Sequence, residues 1–396
     1  MVGRSLFTIP MASYSATIAA LQRNIQTRER ALPLRSPGSG SRFWLHAQPR
    51  HRVYLWFHGF TSAPWQWQSW AAALHQSGAN VLVPLLPGHG RAGEWSADRP
   101  PPLPTSRGGY ERFAIAWLRQ AQALGRRVIV GGVGSGATLA LWLAQQQPQS
   151  VDRAIILAPY LSSRRGVTSL YVQRSPDHPG HPAILGSRAA DSMSRSPLIS
   201  PAPPSTLTPT LTPETYWQWS VPPAIHTNAS TDASTDTDID TGYPGFTQAA
   251  LDVFFDFGAE VLSQAGKAPI APVWLGGCAS DLALANPDVS DLFELVMLQQ
   301  PLSWRYTQMP GLDLAHTGML KQAAAAAIAA LRAIITAYVD TDLTWVELQR
   351  LHQTYQATPA TAPDLPQPRL DRTLAELGWS ERVDRSQVEP LLTWLA

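Results

Sequence analysis

The sequence predicts an α/β fold with a mostly parallel central sheet flanked by helices. Three observations carry that reading. Short apolar runs alternate with stretches of helical periodicity from Phe43 to Tyr160. The alternation stops over 161–267, which is dense in Pro, Ser and Thr, and resumes to Val339. Strands that alternate with helices in this way belong to parallel sheets covered on both faces.

Each element follows from local chemistry. A helix is expected from Ser13 to Ala31, closed by the breaker run "PLRSPGSGS". "RFWLHAQ" and "RVYLWFHG" read as two strands joined by a turn at Pro49-Arg50. "PWQWQSWAAALHQSG" reads as a helix, with Pro64 in its first turn and Gly78 past its end. The strand "NVLVPLL" leads into a loop rich in Pro and Gly. Tyr110, Phe113, Trp117, Ala121 and Leu124 then recur at helical spacing. "RRVIVGG", "DRAIILAPY", "PVWLGG" and "SWRYTQM" read as further strands. "SGATLALWLAQQQ", "PDVSDLFELVMLQQ" and Thr317–Val339 read as helices.

The domain reading is a helical extension over 1–40 and a core in two parts, 41–160 and 268–340. The core is interrupted by an inserted cap over 161–267, partly irregular, and a second helical extension covers 341–396. "GFTQAALDVFFDFGAEVLSQAG" closes the insertion as an amphipathic helix. In the last segment, Thr344-x-x-Glu347 and Ser386-x-x-Glu389 have the form of capping boxes.

Composition narrows the function. Across 396 residues the net charge is +1, and no basic stripe interleaved with aromatics favours nucleic acid. A single cysteine, Cys278, allows neither an internal disulfide nor a multi-cysteine metal site. No run is long and apolar enough for a membrane span. The N-terminus carries an apolar region broken by Pro10, Ser13 and Ser15, unlike a secretory leader. The expectation is a soluble, cytoplasmic protein acting on a small molecule, with no stable membrane insertion.

The decisive stretch is "IVGGVGSGATLALWLA", from Ile129. As Gly132-x-Gly134-x-x-Ala137 it matches a dinucleotide fingerprint. Such a fold ends its next strand with an acid that holds the ribose. Here that strand ends in Pro159-Tyr160, and Asp152 precedes it. Centred on Ser135, the same stretch is a nucleophile elbow. A serine needs a histidine to take its proton, and the histidine needs a carboxylate to fix its tautomer. The oxyanion needs two backbone N–H donors, one after the nucleophile and one from the loop after an earlier strand. His58-Gly59-Phe60-Thr61 supplies that loop, Asp281 follows "PVWLGG", and His316 follows "SWRYTQM".

The set "HGFTSAPWQW", "PLLPGHG", "GVGSGA", "ASDLALANP" and "LAHTG" resembles the α/β-hydrolase superfamily, in the style of bacterial carboxylesterases and monoacylglycerol lipases. The resemblance covers about Phe43–Tyr160 and Ala268–Val339. It implies an α/β-hydrolase sheet with Ser135 as nucleophile, Asp281 as acid and His316 as base. Phe60 and Gly136 would be oxyanion donors, and His58, Gly59 and Gly134 would support the loops. The implied reaction is ester hydrolysis through an acyl-enzyme, with no metal or organic cofactor. The sequence departs from the family at Val133, where a small residue normally stands two before the nucleophile.

Other residues have blander readings. Asp288 and Asp291 compete with Asp281 but suit the following helix, and Asp313 suits a local turn. His58 and His89 are expected to brace loops rather than move protons. Trp67 and Trp70, at helical spacing, are expected in the core. "TDASTDTDID" lacks the glycine and closing glutamate of an EF-hand loop and reads as a linker. The contrasting function is a non-catalytic protein of the same fold, docking partners through terminal helices such as "PLLTWLA".

Overall fold

The structure, a computed structural model, describes residues 11–161, 171–173, 214–219, 242–267, 269–277, 286–300, 304–308, 325–341, 343–360 and 367–395. Among these a seven-stranded sheet runs in the order β1-β3-β2-β4-β5-β9-β10. Its strands are β1 (Arg42–Trp44), β2 (Arg50–Phe57), β3 (Asn80–Val83), β4 (Gly125–Val133), β5 (Arg153–Leu157), β9 (Val273–Gly277) and β10 (Trp304–Gln308). Every pairing is parallel except that of β1 with β3. The two strands expected around Pro49 both form, but they do not pair with each other. β1 runs antiparallel to β3, and β2 lies between β3 and β4.

The inner strands are apolar and buried from Val53, Val128 and Ala154 onward because both of their faces are covered there. Val53, Leu55, Val130 and Ile156 belong to the layer beneath α3 (Arg107–Gln122), α4 (Ser135–Gln146) and α5 (Gln248–Gln264). Tyr54, Trp56, Ile129 and Ile155 face the opposite layer, with α2 (Gln68–Gln76) and α7 (Ala325–Asp340). Trp67 and Trp70 are buried in that second layer, as their spacing predicts; Trp67 stacks on Trp56, and Trp70 packs edge-on to Trp67. Pro64 opens a 3-10 turn before α2, and Gly78 follows the helix at φ 90°.

α1 (Met11–Arg30) fits the first predicted helix. Tyr14, Leu21 and Ile25 join the α3–α5 layer, and the Tyr14 hydroxyl accepts from Asn80 Nδ2 at 2.7 Å. The Glu29 carboxylate at its far end accepts the Ser41 N–H at 2.9 Å. Across the sheet, α8 (Trp345–Ala357), α9 (Arg369–Glu376) and α10 (Arg385–Leu395) cover the Trp56 layer through Leu348, Leu374 and Leu391. The Thr344–Glu347 capping box forms. The Ser386–Glu389 box does not. Asp384 accepts the Ser386 N–H at 2.8 Å, because the helix starts one residue before Ser386.

Within the insertion, β6 (Tyr171–Gln173), β7 (Tyr216–Trp219) and β8 (Gly245–Thr247) make a small antiparallel sheet, and α5 follows directly. α6 (Asn286–Met297) lies between β9 and β10 in sequence. "TDASTDTDID" lies outside the described residues.

Candidate active site

β2 and β4 are adjacent parallel strands, so the turns at their carboxyl ends meet. Val133 is the last residue of β4, in register with Leu157 of β5. Gly134 then takes φ 56° and ψ −120°, and α4 begins at Ser135. That conformation is closed to most residues with a Cβ. It is held from both sides: the Gly134 N–H donates to Leu157 O at 3.0 Å, and the Gly134 carbonyl accepts from Thr138 N at 3.0 Å. The Thr138 hydroxyl, donating to Tyr160 O at 2.9 Å and accepting Tyr160 N–H at 2.7 Å, ties the helix to the chain beyond β5.

The sequence reading centred this turn on Ser135. The structure centres it on Gly134. A Cβ on Gly132 would stand well under 3.0 Å from the backbone of Gly136, and one on Gly136 would meet the carbonyls of Phe57 and His58 just as closely. The two residues without Cβ that let strand and helix cross are therefore Gly132 and Gly136, two on either side of Gly134. Val133, whose presence two before Ser135 departs from the family pattern, is an ordinary strand residue facing the tryptophan layer. Ser135 is the first helical residue. Its side chain is fully buried, and among the described residues its hydroxyl has no hydrogen-bond partner. Gly136 is a close-packing residue, and the N–H that directly follows the turn belongs to Ser135. The first N–H groups of α4 have no intrahelical acceptor and carry the positive end of the helix dipole.

Beside this turn, His58 braces the neighbouring one. Its Nδ1 donates to Gly59 O at 3.0 Å, and its Nε2 accepts the Leu86 N–H at 3.0 Å. Burial, with His89 beside it, holds this imidazole well below the ordinary histidine range. The Gly59 N–H donates to Gln66 Oε1 at 2.7 Å. Phe60 follows, its ring against Phe246 at 4.8 Å and Phe254 at 5.5 Å. Thr61 stands at φ 60°. His89 packs edge-on to His58 and Phe60 and donates through Nδ1 to Pro87 O at 3.0 Å. Burial pushes its pKa down to about 4. The returning insertion is fastened here: Tyr243 N donates to Thr61 O at 2.8 Å, and its hydroxyl donates to Gly88 O at 2.7 Å. A cavity of about 140 Å³ lies nearby under α1, lined by Glu29, Leu86, His89 and Trp117.

Residues 55–181 match the family described as alpha/beta hydrolase fold, a span that holds both turns. The chain has the α/β-hydrolase fold. No curated protein matches it. Among solved structures it is similar to a metagenome-derived lipolytic enzyme, at 15% identity and TM-score 0.45, covering 72% of this chain and 91% of that one. A monoacylglycerol lipase from Paleococcus ferrophilus is 14% identical, with TM-score 0.42 over 68% of this chain and 88% of that one. A monoglyceride lipase from Saccharomyces cerevisiae is 13% identical, with TM-score 0.42 over 68% and 82%.

In this α/β-hydrolase sheet, β9 ends at Gly277 and β10 at Gln308, parallel to β4 and so at the same edge as the Gly134 turn. Asp281 and His316, assigned from the sequence as acid and base, lie outside the described residues, as does Asp313. Asp288 is buried in the first turn of α6, where a carboxylate favours the helix N-terminus, and Asp291 is exposed further along that helix. No group of three metal-binding side chains occurs among the described residues. No described helix is long and apolar enough to cross a membrane. The signal that located the turn was present in the sequence, since Gly132-x-Gly134-x-Gly136 has the small-residue spacing that the Ser135-centred pentapeptide lacks.

Proposed function

We propose that this chain hydrolyses a carboxylic ester with an apolar acyl group, of the size of a monoacylglycerol or medium-chain ester. The site would lie where the Phe60 turn meets the start of α4. The observation that carries the reading is the strained turn at Gly134, which aims the free N–H groups of α4 beside the His58–Thr61 loop. Those groups and the Phe60 N–H would hold the carbonyl oxygen as it gains charge, each donor being worth roughly 3 kcal/mol of barrier. His316 would move the protons, with Asp281 fixing its ring. The ring cluster of Phe60, Phe246 and Phe254 supports an apolar acyl group, although the buried face of α5 serves chiefly as core.

The test is hydrolysis of p-nitrophenyl esters from acetyl to palmitoyl by the wild type and by His316→Ala. The expected result is an optimum at intermediate chain length and a loss of at least about 100-fold in the variant. Equal rates in the two folded proteins would sink the reading. A second reading, an ester-binding protein without turnover, is favoured by one observation: the residue at the sharp turn has no side chain. Partner docking through "PLLTWLA" finds less support, because Val388, Leu391 and Leu392 are buried against the Trp56 layer.

A further inference from the structure

We infer that Gly134 occupies the nucleophile's position, so that the group attacking the ester at this site is a water molecule and no acyl-enzyme forms. This rests on the ester reading above. In a nucleophile elbow, the reacting side chain stands on the one strained residue between strand and helix, where it is exposed at the top of the sheet. Here that residue is Gly134, at φ 56° and ψ −120°.

The register cannot slide forward by one. With Ser135 at the vertex, the residues two on either side would be Val133 and Ala137, both carrying Cβ atoms at a crossing that already excludes one. Val133 is also fixed in the sheet by its pairing with Leu157. Ser135 does not meet the needs of a nucleophile in its own place. Its side chain is fully buried, in the first turn of a helix whose residues from Ser135 to Gln145 are all buried. Among the described residues, its hydroxyl has no hydrogen-bond partner.

The chemistry balances without a protein nucleophile. A water oxygen bonds to the ester carbonyl carbon, and its proton passes to a second water molecule. The carbonyl electron pair moves onto oxygen, facing the N–H groups of Phe60 and of the first turn of α4. Collapse breaks the bond to the alkoxy oxygen, which takes the proton back from that second water. Acid and alcohol leave after a single displacement. An oxyanion site and bound substrate without a complete triad still give on the order of 10³–10⁴-fold over water, so slow turnover is expected.

The experiment treats the full chain with a fluorophosphonate probe, followed by intact-mass analysis, alongside pre-steady-state hydrolysis of a p-nitrophenyl ester. Wild type, Ser135→Ala and Gly134→Ser are compared. Expected is an unlabelled wild type with no burst, and a Gly134→Ser variant that is labelled, shows a burst and gains at least about 100-fold in turnover. Labelling of the wild type that disappears in Ser135→Ala would overturn the inference while leaving ester hydrolysis standing. Should Gly134→Ser fold poorly, the wild-type and Ser135→Ala labelling alone decides. A wild type with no hydrolysis beside a labelled Gly134→Ser would uphold the empty vertex and remove the hydrolytic reading instead.

Discussion

Two neighbouring turns, one after β2 and one after β4, each force one residue into the left-handed region, and they do it with different residues. After β2 it is Thr61, at φ 60°, a β-branched residue for which this conformation is a true outlier. After β4 it is Gly134, at φ 56°, for which it costs little. Strain held by a residue with a side chain costs on the order of 1–3 kcal/mol and persists where the surroundings over-determine it. The Thr61 carbonyl does hold the returning insertion through Tyr243. The elbow keeps the geometry of a strained catalytic turn, fixed by Gly132, Gly136 and Thr138, but its vertex has no side chain to present.

The largest effect expected from breaking this comparison is at the crossing itself. Gly132→Ala should destabilise the fold by about 4 kcal/mol, beyond the usual cost of overpacking, because the obstacle is backbone that cannot rotate away. Urea denaturation measures it. A loss below about 1 kcal/mol would mean that the strand and helix do not cross as tightly as the register at Gly134 requires.

The Phe60 side should respond to acid. His89 is fully buried, with its pKa lowered from 6.5 to about 4. The unfolded chain then binds more protons between those values, so stability is complete above about pH 6.5 and falls as pH drops toward 4. The loss is about 3 kcal/mol. His89→Gln should flatten that slope in denaturation curves measured at pH 7 and pH 4.5, and an unchanged slope would assign it elsewhere. The turn at Gly134, among the described residues from Gly132 to Thr138, has no ionisable side chain to answer in the same way.

Smallest is the effect of removing the strain after β2. Thr61→Gly relieves the backbone but adds unfolded-state entropy, for a net gain of about 1 kcal/mol. A loss of stability, read as a lower Tm, would show that the Thr61 side chain earns its strained position through its own contacts.

Much of this was legible before any fold was built. Helical spacing placed α3, and Trp67 and Trp70 lie buried in the core where their spacing put them. The two nitrogens of His58 hold its loop through Gly59 and Leu86. Where the reading was silent or failed, neighbours in space decided. The partner of β1 is β3 because sheet order is a long-range choice that local periodicity does not encode. The start of α10 fell to Asp384, since either of two polar residues could cap it.

The sequence by itself determined the fold class, the order of the motifs and the places of the two turns at the ends of β2 and β4. Apolar period and glycine placement act locally and are written in the chain. Only the tertiary structure decided which residue of Gly132-Val133-Gly134-Ser135-Gly136 stands at the vertex. Glycines tolerate almost any backbone conformation, so a glycine-rich turn leaves its own register open. The choice is made by what cannot move: the pairing of Val133 with Leu157, and the backbone of β2 pressed against Gly136.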